Sequence, residues 1–386
     1  MVFFIKLILR NILRHRLRSG LTATGIVVAI VAFGVLRTLV GAWYAGAEAT
    51  SATRFVTRNA ISLVFPLPIS YLNRIRQVGG VTAISYANWF GGIYISEKNF
   101  FPQFAIDPTS YLDLYPEYLL SSEARSAFLH DRKGAIAGHK LAAQFGWKVG
   151  DVIPLRGTIY GGEWSFALKG IYRGAEKHTD ETQFFFHWNT LNETLKKTAP
   201  NRAEQVGVYL VKIEQPVKAA EIARAIDALF KNSLAETLTE TERAFQLSFV
   251  SMTETILTVV QVVSWVIIII IMAVMANTMA MTARERQREY ATLKALGFGP
   301  AYILLLILGE SLLISLSAGI AGILLLYPVA EQVGVKLGTL FPVFNVSALT
   351  LWTALGAAFV VGLVAAVIPA WRAVRMPVTQ GLGAIG

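Results

Sequence analysis

The sequence predicts an α-helical membrane protein with four transmembrane helices and a large mixed α/β extracytoplasmic domain inserted between helices 1 and 2. Three observations lead there. Only 16% of the 386 residues are charged, against about a quarter in a typical soluble domain. The apolar excess is gathered in four blocks: Leu21–Leu36 with its extension past Arg37, Thr255–Ala283, Ala295–Ala330 and Leu337–Trp371. Each matches the roughly 20 apolar residues that cross a bilayer. Basic residues flank the blocks on one side. Lys6, Arg10, Arg14, Arg16 and Arg18 precede the first, and Arg284, Arg286, Arg288 and Lys294 outnumber Glu285 and Glu289 after the second. Arg372 and Arg375 follow the fourth. This positive-inside pattern places both termini and the 284–299 segment in the cytoplasm and 47–252 outside. A purely soluble enzyme, a disordered chain and a β-barrel porin are thereby excluded. The net charge of +10 is topogenic; no segment is both folded and strongly basic, so no nucleic-acid partner is expected.

Residues 1–20 form an amphipathic pattern, with Phe4, Leu7, Ile8, Ile12 and Leu13 on one helical face and Lys6, Arg10, Arg14 and Arg18 on another. The segment is either a surface helix with its basic face toward lipid headgroups or a charged stop before the span. Transmembrane helix 1 covers 21–46. Its length, and that of the basic region ahead of it, fit a retained anchor better than a cleaved signal. Arg37, toward its outer end, is placed to snorkel to the interface.

The extracytoplasmic segment 47–252 holds nearly equal numbers of acidic and basic residues and no cysteine, so it folds without disulfides. Val206–Glu214 is rich in β-branched and aromatic residues and reads as a strand. Pro216 then opens a helical run over 217–232. Further strands are expected at 81–86, 92–95, 102–106, 152–160 and 165–172, and helices at 70–77, 109–116, 121–130 and 138–145. Such alternation indicates a compact α/β module of one or two subdomains.

Transmembrane helices 2, 3 and 4 are expected at 253–283, 300–328 and 347–371. Between them lie a cytoplasmic helix at 284–299 and an outer loop at 329–346; a cytoplasmic tail, 372–386, follows. Small residues recur along the spans: Gly25 and Ala29 in the first, Ser311, Ser315 and Gly319 in the third, and Ala354, Ala358, Gly362, Ala366 and Ala370 in the fourth. Stripes of this kind let helix backbones approach closely, within the chain or across a dimer. Glu310 lies about 15 Å into the third span by helix rise. An acidic residue there is a candidate functional group, and equally a hydrogen-bonded packing residue or the partner of a cation on a neighbouring helix.

Catalytic signals are lacking. No Gly-Lys dipeptide occurs, which excludes a Walker A phosphate loop, and there is no HExxH, GxSxG or CxxC. His15, His130, His139, His178 and His187 are scattered, and His178 beside Asp180 and Glu181 has no metal-ligand spacing. No catalytic, cofactor-binding or metal-binding residue is expected, and the chain is not expected to be an enzyme.

The most informative stretch is Asn277–Gly299, where a span ends and a short charged helix follows. It is shaped either to dock into a groove on a soluble partner, with Tyr290 and Leu293 as anchors, or to touch anionic lipid. The run Arg284-Glu285-Arg286, Arg288-Glu289, Leu293-Lys294-Ala295-Leu296-Gly297 and Glu310-Ser311 resembles the signature of FtsX-like permeases. These are the membrane subunits of MacB- and LolC/LolE-type ABC systems. Arg18, Leu21-Thr22 and Gly25-Ile26 are similar to the family's entry into the first span, and Pro369-Ala370-Trp371-Arg372-Ala373 with Pro377 to its exit from the fourth. In 47–252, the start at Ile75–Val81, the stretch Gly138–Asp151 and the run Thr239–Glu242 resemble the MacB-type periplasmic core domain. Tyr290 departs from the usual aliphatic residue.

The resemblance implies a multi-pass permease of the bacterial inner membrane with its large domain in the periplasm. A separate cytoplasmic ABC ATPase dimer would carry ATP and Mg, and a second permease chain, identical or paralogous, would complete the assembly. A periplasmic adaptor is a further implied partner, beside membrane lipids. Arg284, Glu285, Arg286, Glu289, Tyr290 and Leu293 would couple to the ATPase, and the periplasmic domain would move to export or extract a substrate. The competing expectation is a non-transporting mechanical activator of a periplasmic partner such as a cell-wall hydrolase.

Overall fold

The computed structural model describes residues 8, 10, 11, 14, 16–48, 50–176, 179–337, 341 and 343–378. Most of the expected N-terminal amphipathic helix, together with His15, His178 and the tail beyond 378, lies outside the described residues. The chain divides into two compact units, one helical (1–41, 254–336 and 344–386) and one α/β (42–253 with 337–343).

The first helix, α1, spans Arg16–Glu48. The α/β unit then runs β1 (Arg54–Asn59), β2 (Leu67–Pro68), α2 (Tyr71–Arg76), β3 (Val81–Trp89), β4 (Gly92–Ile93), β5 (Gln103–Ile106), α3 (Pro108–Leu114), β6 (Tyr118–Leu119) and α4 (Ser122–His130). It continues with β7 (Gly134–Gly138), α5 (His139–Phe145), β8 (Val152–Gly157), β9 (Glu163–Gly174), β10 (Phe184–His187) and α6 (Trp188–Thr198). Its last elements are β11 (Gln205–Val206), β12 (Val208–Ile213), α7 (Ala219–Leu229), β13 (Thr237–Thr241) and α8 (Glu242–Met252). One sheet dominates, in the order β13-β1-β12-β3-β5-β10-β7-β9-β8-β4. It is antiparallel except where β10 pairs β5 and β7 pairs β9. One core packs Phe90, Phe101, Phe166, Phe184 and Phe186 under its middle, and a second packs Tyr111, Phe128, Tyr172 and Phe185. The edge strand β13 does not offer all its free groups for pairing: the Asp227 carboxylate accepts from the Thr239 amide at 3.0 Å.

The strands and helices expected from periodicity are present within a few residues. Six strands lie where none is expected, the two-residue β2 and β6 among them. In β7 (GAIAG) every residue is buried, so the two-residue alternation that betrays a half-exposed strand is absent. In β10 (FFFH) the same holds. Strands β1 and β13, and helices α6 and α8, were also unforeseen.

The helical unit adds α9 (Glu254–Glu285), α10 (Gln287–Ala295), α11 (Pro300–Leu337) and α12 (Ala348–Arg375). With α1, the three longer ones are long and apolar enough to cross a membrane. Helix α11 runs through Pro328 to Leu337, into the stretch expected as an outer loop. Proline removes one backbone donor and one helical hydrogen bond, and the following turns continue regardless.

Small residues line the contacts of this unit. A Cβ at Gly319 would lie 2.6 Å from that of Ala358, and one at Gly362 would collide with Ser315 and approach the Leu312 Cα at 3.2 Å. Gly25 lies against Ile271, and Ala29 is buried. The close approach of α11 and α12 lets the Ser311 hydroxyl donate to the Gly362 carbonyl at 2.6 Å. Ala354, Ala358, Ala366 and Ala370 are buried along the same face of α12.

Candidate functional site

The sequence breaks its helices sharply around α10. Arg286 leaves the helical region (φ −100°, ψ 14°), which separates α9 from α10. At the other end the Phe298 amide donates to the Leu293 carbonyl and the Gly297 amide to that of Lys294, both at 3.0 Å. This is a Schellman closure, and its C′ position needs the left-handed conformation that Gly297 adopts at φ +88°. The result is a stub of nine residues held between two long helices.

The charges of the stub divide into an inward and an outward set. Arg286 is buried, only 6% exposed. Its Nη1 donates to Glu310 Oε2 at 2.7 Å and its Nε to Glu289 Oε2 at 2.8 Å. Its guanidinium stands 5.3 Å from the Tyr290 ring centre. Burial opposes the charge, but Tyr290, Glu289 and Glu310 more than offset it and hold the guanidinium above its ordinary value. Glu289 also receives a hydrogen bond from Arg14. Burial raises its carboxyl, but Arg286 and Arg14 outweigh that and hold it below the ordinary carboxylate value. Glu310, on α11, is thus the partner of the cation at the break between α9 and α10.

Tyr290 is 1% exposed, so the expected surface anchor is turned into the helical core; burial pushes its hydroxyl up to about 12. Leu293 packs half-buried against the same core. Glu285 is exposed and accepts two hydrogen bonds from Arg18, at 2.7 and 2.6 Å. Arg284, Gln287, Arg288 and Leu296 face outward, Leu296 with 71% of its surface exposed.

Lys294 was prominent in the sequence motif without an assigned role. Its Nζ donates to the carbonyls of Ala373, Val374 and Met376 at 3.0, 2.8 and 2.7 Å. These lie at the C-terminal end of α12, where helical carbonyls lack partners and the dipole favours a cation. All three ammonium protons are used. Burial lowers the pKa of this lysine. Nothing in the local sequence signals acceptors some 80 residues away. Among the described residues no group of His, Asp and Glu is placed to hold a metal ion.

Residues 261–378, from within α9 to just past α12, match the FtsX-like permease C-terminal family. An uncharacterized ABC transporter permease of Methanocaldococcus jannaschii is 25% identical over 396 aligned residues, spanning 94% of this chain and 92% of the relative. The chain carries an FtsX-like permease C-terminal domain and is homologous to an ABC transporter permease. Two solved structures overlap about half of this chain. The extracellular domain of the ABC-type transporter YknZ from Gram-positive bacteria covers 49% of this chain and is wholly covered itself, at 13% identity and a TM-score of 0.36. A domain of a permease protein from Porphyromonas gingivalis covers 50% of this chain and is 92% covered, at 14% identity and a TM-score of 0.35.

Proposed function

We propose that α10 is the lever through which a separate cytoplasmic ATPase drives this permease, in the manner of MacB- and LolC/LolE-type systems. The supporting observation is that α10 is clamped at both ends. Arg286 ties its start to Glu310 on α11, and Lys294 ties its end to the terminal carbonyls of α12. A push on such a stub moves two long helices together instead of bending a loop. Arg284, Gln287, Arg288 and Leu296 form the face offered to the ATPase, and Arg286 and Tyr290 pass the load inward. ATP and Mg reside on the ATPase, and a second permease chain completes the machine. Motion of the helices works the extracytoplasmic domain, which exports or extracts a lipid, lipoprotein, peptide or drug.

The test is purification of the full chain from its native membrane. An ATP-hydrolysing subunit is expected to co-purify, and Arg288→Glu combined with Leu296→Glu to release it without lowering the melting temperature. Recovery of the permease with no such subunit contradicts the proposal. A stable extracytoplasmic hydrolase partner, with no cargo in the preparation, supports the mechanical-activator reading instead.

A further inference from the structure

A second buried cation lies wholly within the α/β unit. Arg54 is the first residue of β1, six residues after α1 ends. Glu242 is the first residue of α8, which is separated from α9 by Thr253 alone. The pair therefore stands where the chain enters the α/β unit and where it leaves. Arg54 Nε donates to Glu242 Oε2 at 2.8 Å, and Nη2 to Glu117 Oε1 at 2.6 Å. The guanidinium covers the Tyr115 ring at 4.2 Å, and the Tyr115 hydroxyl donates to Glu242 Oε1 at 2.8 Å. The Ser51 amide, just ahead of β1, reaches Glu242 as well, at 3.4 Å. Glu117 belongs to neither root: it lies in the turn between α3 and β6.

Burying such a cluster adds little net stability compared with apolar packing. What a guanidinium fork adds is direction, because it donates to its carboxylates in one plane and stacks on a ring face. We infer that Arg54 is a positioning residue for the transport cycle: a rigid joint that ties both roots of the α/β unit to its α3–β6 lobe. Displacement of the roots then turns the lobe as one piece. This inference rests on the lever reading above.

The chain contains no cysteine, so spin labels can be placed cleanly at Glu123→Cys on α4 and Glu221→Cys on α7, both exposed positions. In the full chain purified with its ATPase, the distance between them is expected to shift on adding ATP and vanadate. Arg54→Lys removes the fork, and Glu117→Gln leaves the Arg54–Glu242 pair intact, so misfolding of one still leaves the other to read. Each is expected to keep the nucleotide-free distance and ATP hydrolysis, and to lose most of the shift. A full shift in these variants overturns the joint while the lever stands. No shift in the unmutated chain overturns the lever, and the joint with it.

Discussion

The two units each bury one arginine between two carboxylates and a tyrosine ring, and the two clusters differ in how far they reach along the chain. Arg286 finds Glu289 three residues away and Glu310 twenty-four away. Arg54 finds Glu117 sixty-three residues away and Glu242 one hundred and eighty-eight away. The first cluster staples a helix–turn–helix corner; the second fastens segments that only the folded sheet brings together. Short-range clusters of this kind leave a trace in a local motif, and long-range ones do not.

The sharpest way to break the first cluster is Glu310→Ala, which leaves the almost wholly buried Arg286 with Glu289 as its one remaining carboxylate in the cluster. Removing one partner of a buried pair costs up to about 3–5 kcal/mol. Arg286→Met with Glu310→Met should recover most of it, since the pair itself adds little. Denaturation of the detergent-solubilised chain reads both. If the double variant is as unstable as the single, the clusters are not alike in their energetics. The next effect is steric and confined to the helical unit. Gly362→Leu has no room against Ser315 and the Leu312 backbone, and overpacking costs about 1–3 kcal/mol. The same substitution at Gly161, which has nothing within 4 Å, should be near neutral.

Acid separates the two units most finely. His187 is buried, with Nε2 2.7 Å from the Phe128 carbonyl, and burial holds its pKa below the ordinary 6.5. The unfolded chain therefore takes up a proton that the folded domain refuses. The contribution of His187 to the stability of the α/β unit is full above pH 6.5 and is lost as the pH falls through the lower folded value. For Glu289 the loss begins further down. Its folded carboxyl lies below the ordinary 4.5, so its contribution persists above pH 4.5 and is lost only as the pH falls through that lower value. Melting profiles against pH should show two acid limbs, with His187→Gln flattening the upper and Glu289→Gln the lower.

Much of the architecture was legible because apolar length and flanking charge are one-dimensional signals. The four long helices, the small residues between α11 and α12 and about half of the strands follow from such patterns. The orientation of α10 did not. Alternating charge looks like a solvated face, and only the position of Glu310 one helix later makes an inward Arg286 tolerable. Tyr290 misled for the same reason, since an aromatic on a short charged helix suits a partner's groove as well as its own core. Strands β7 and β10 escaped because complete burial erases the alternation by which a strand is recognised, and the acceptors of Lys294 lie on another helix altogether.

The most direct measurement is site-specific photo-crosslinking in intact cells from single positions around α10. Probes at Gln287, Arg288 and Leu296 should each trap a nucleotide-hydrolysing subunit, whereas probes at Tyr290 and Ala291 should trap only this chain. Adducts with that subunit arising solely from other surfaces, or none from the outward face, would contradict the assignment of α10 as the lever.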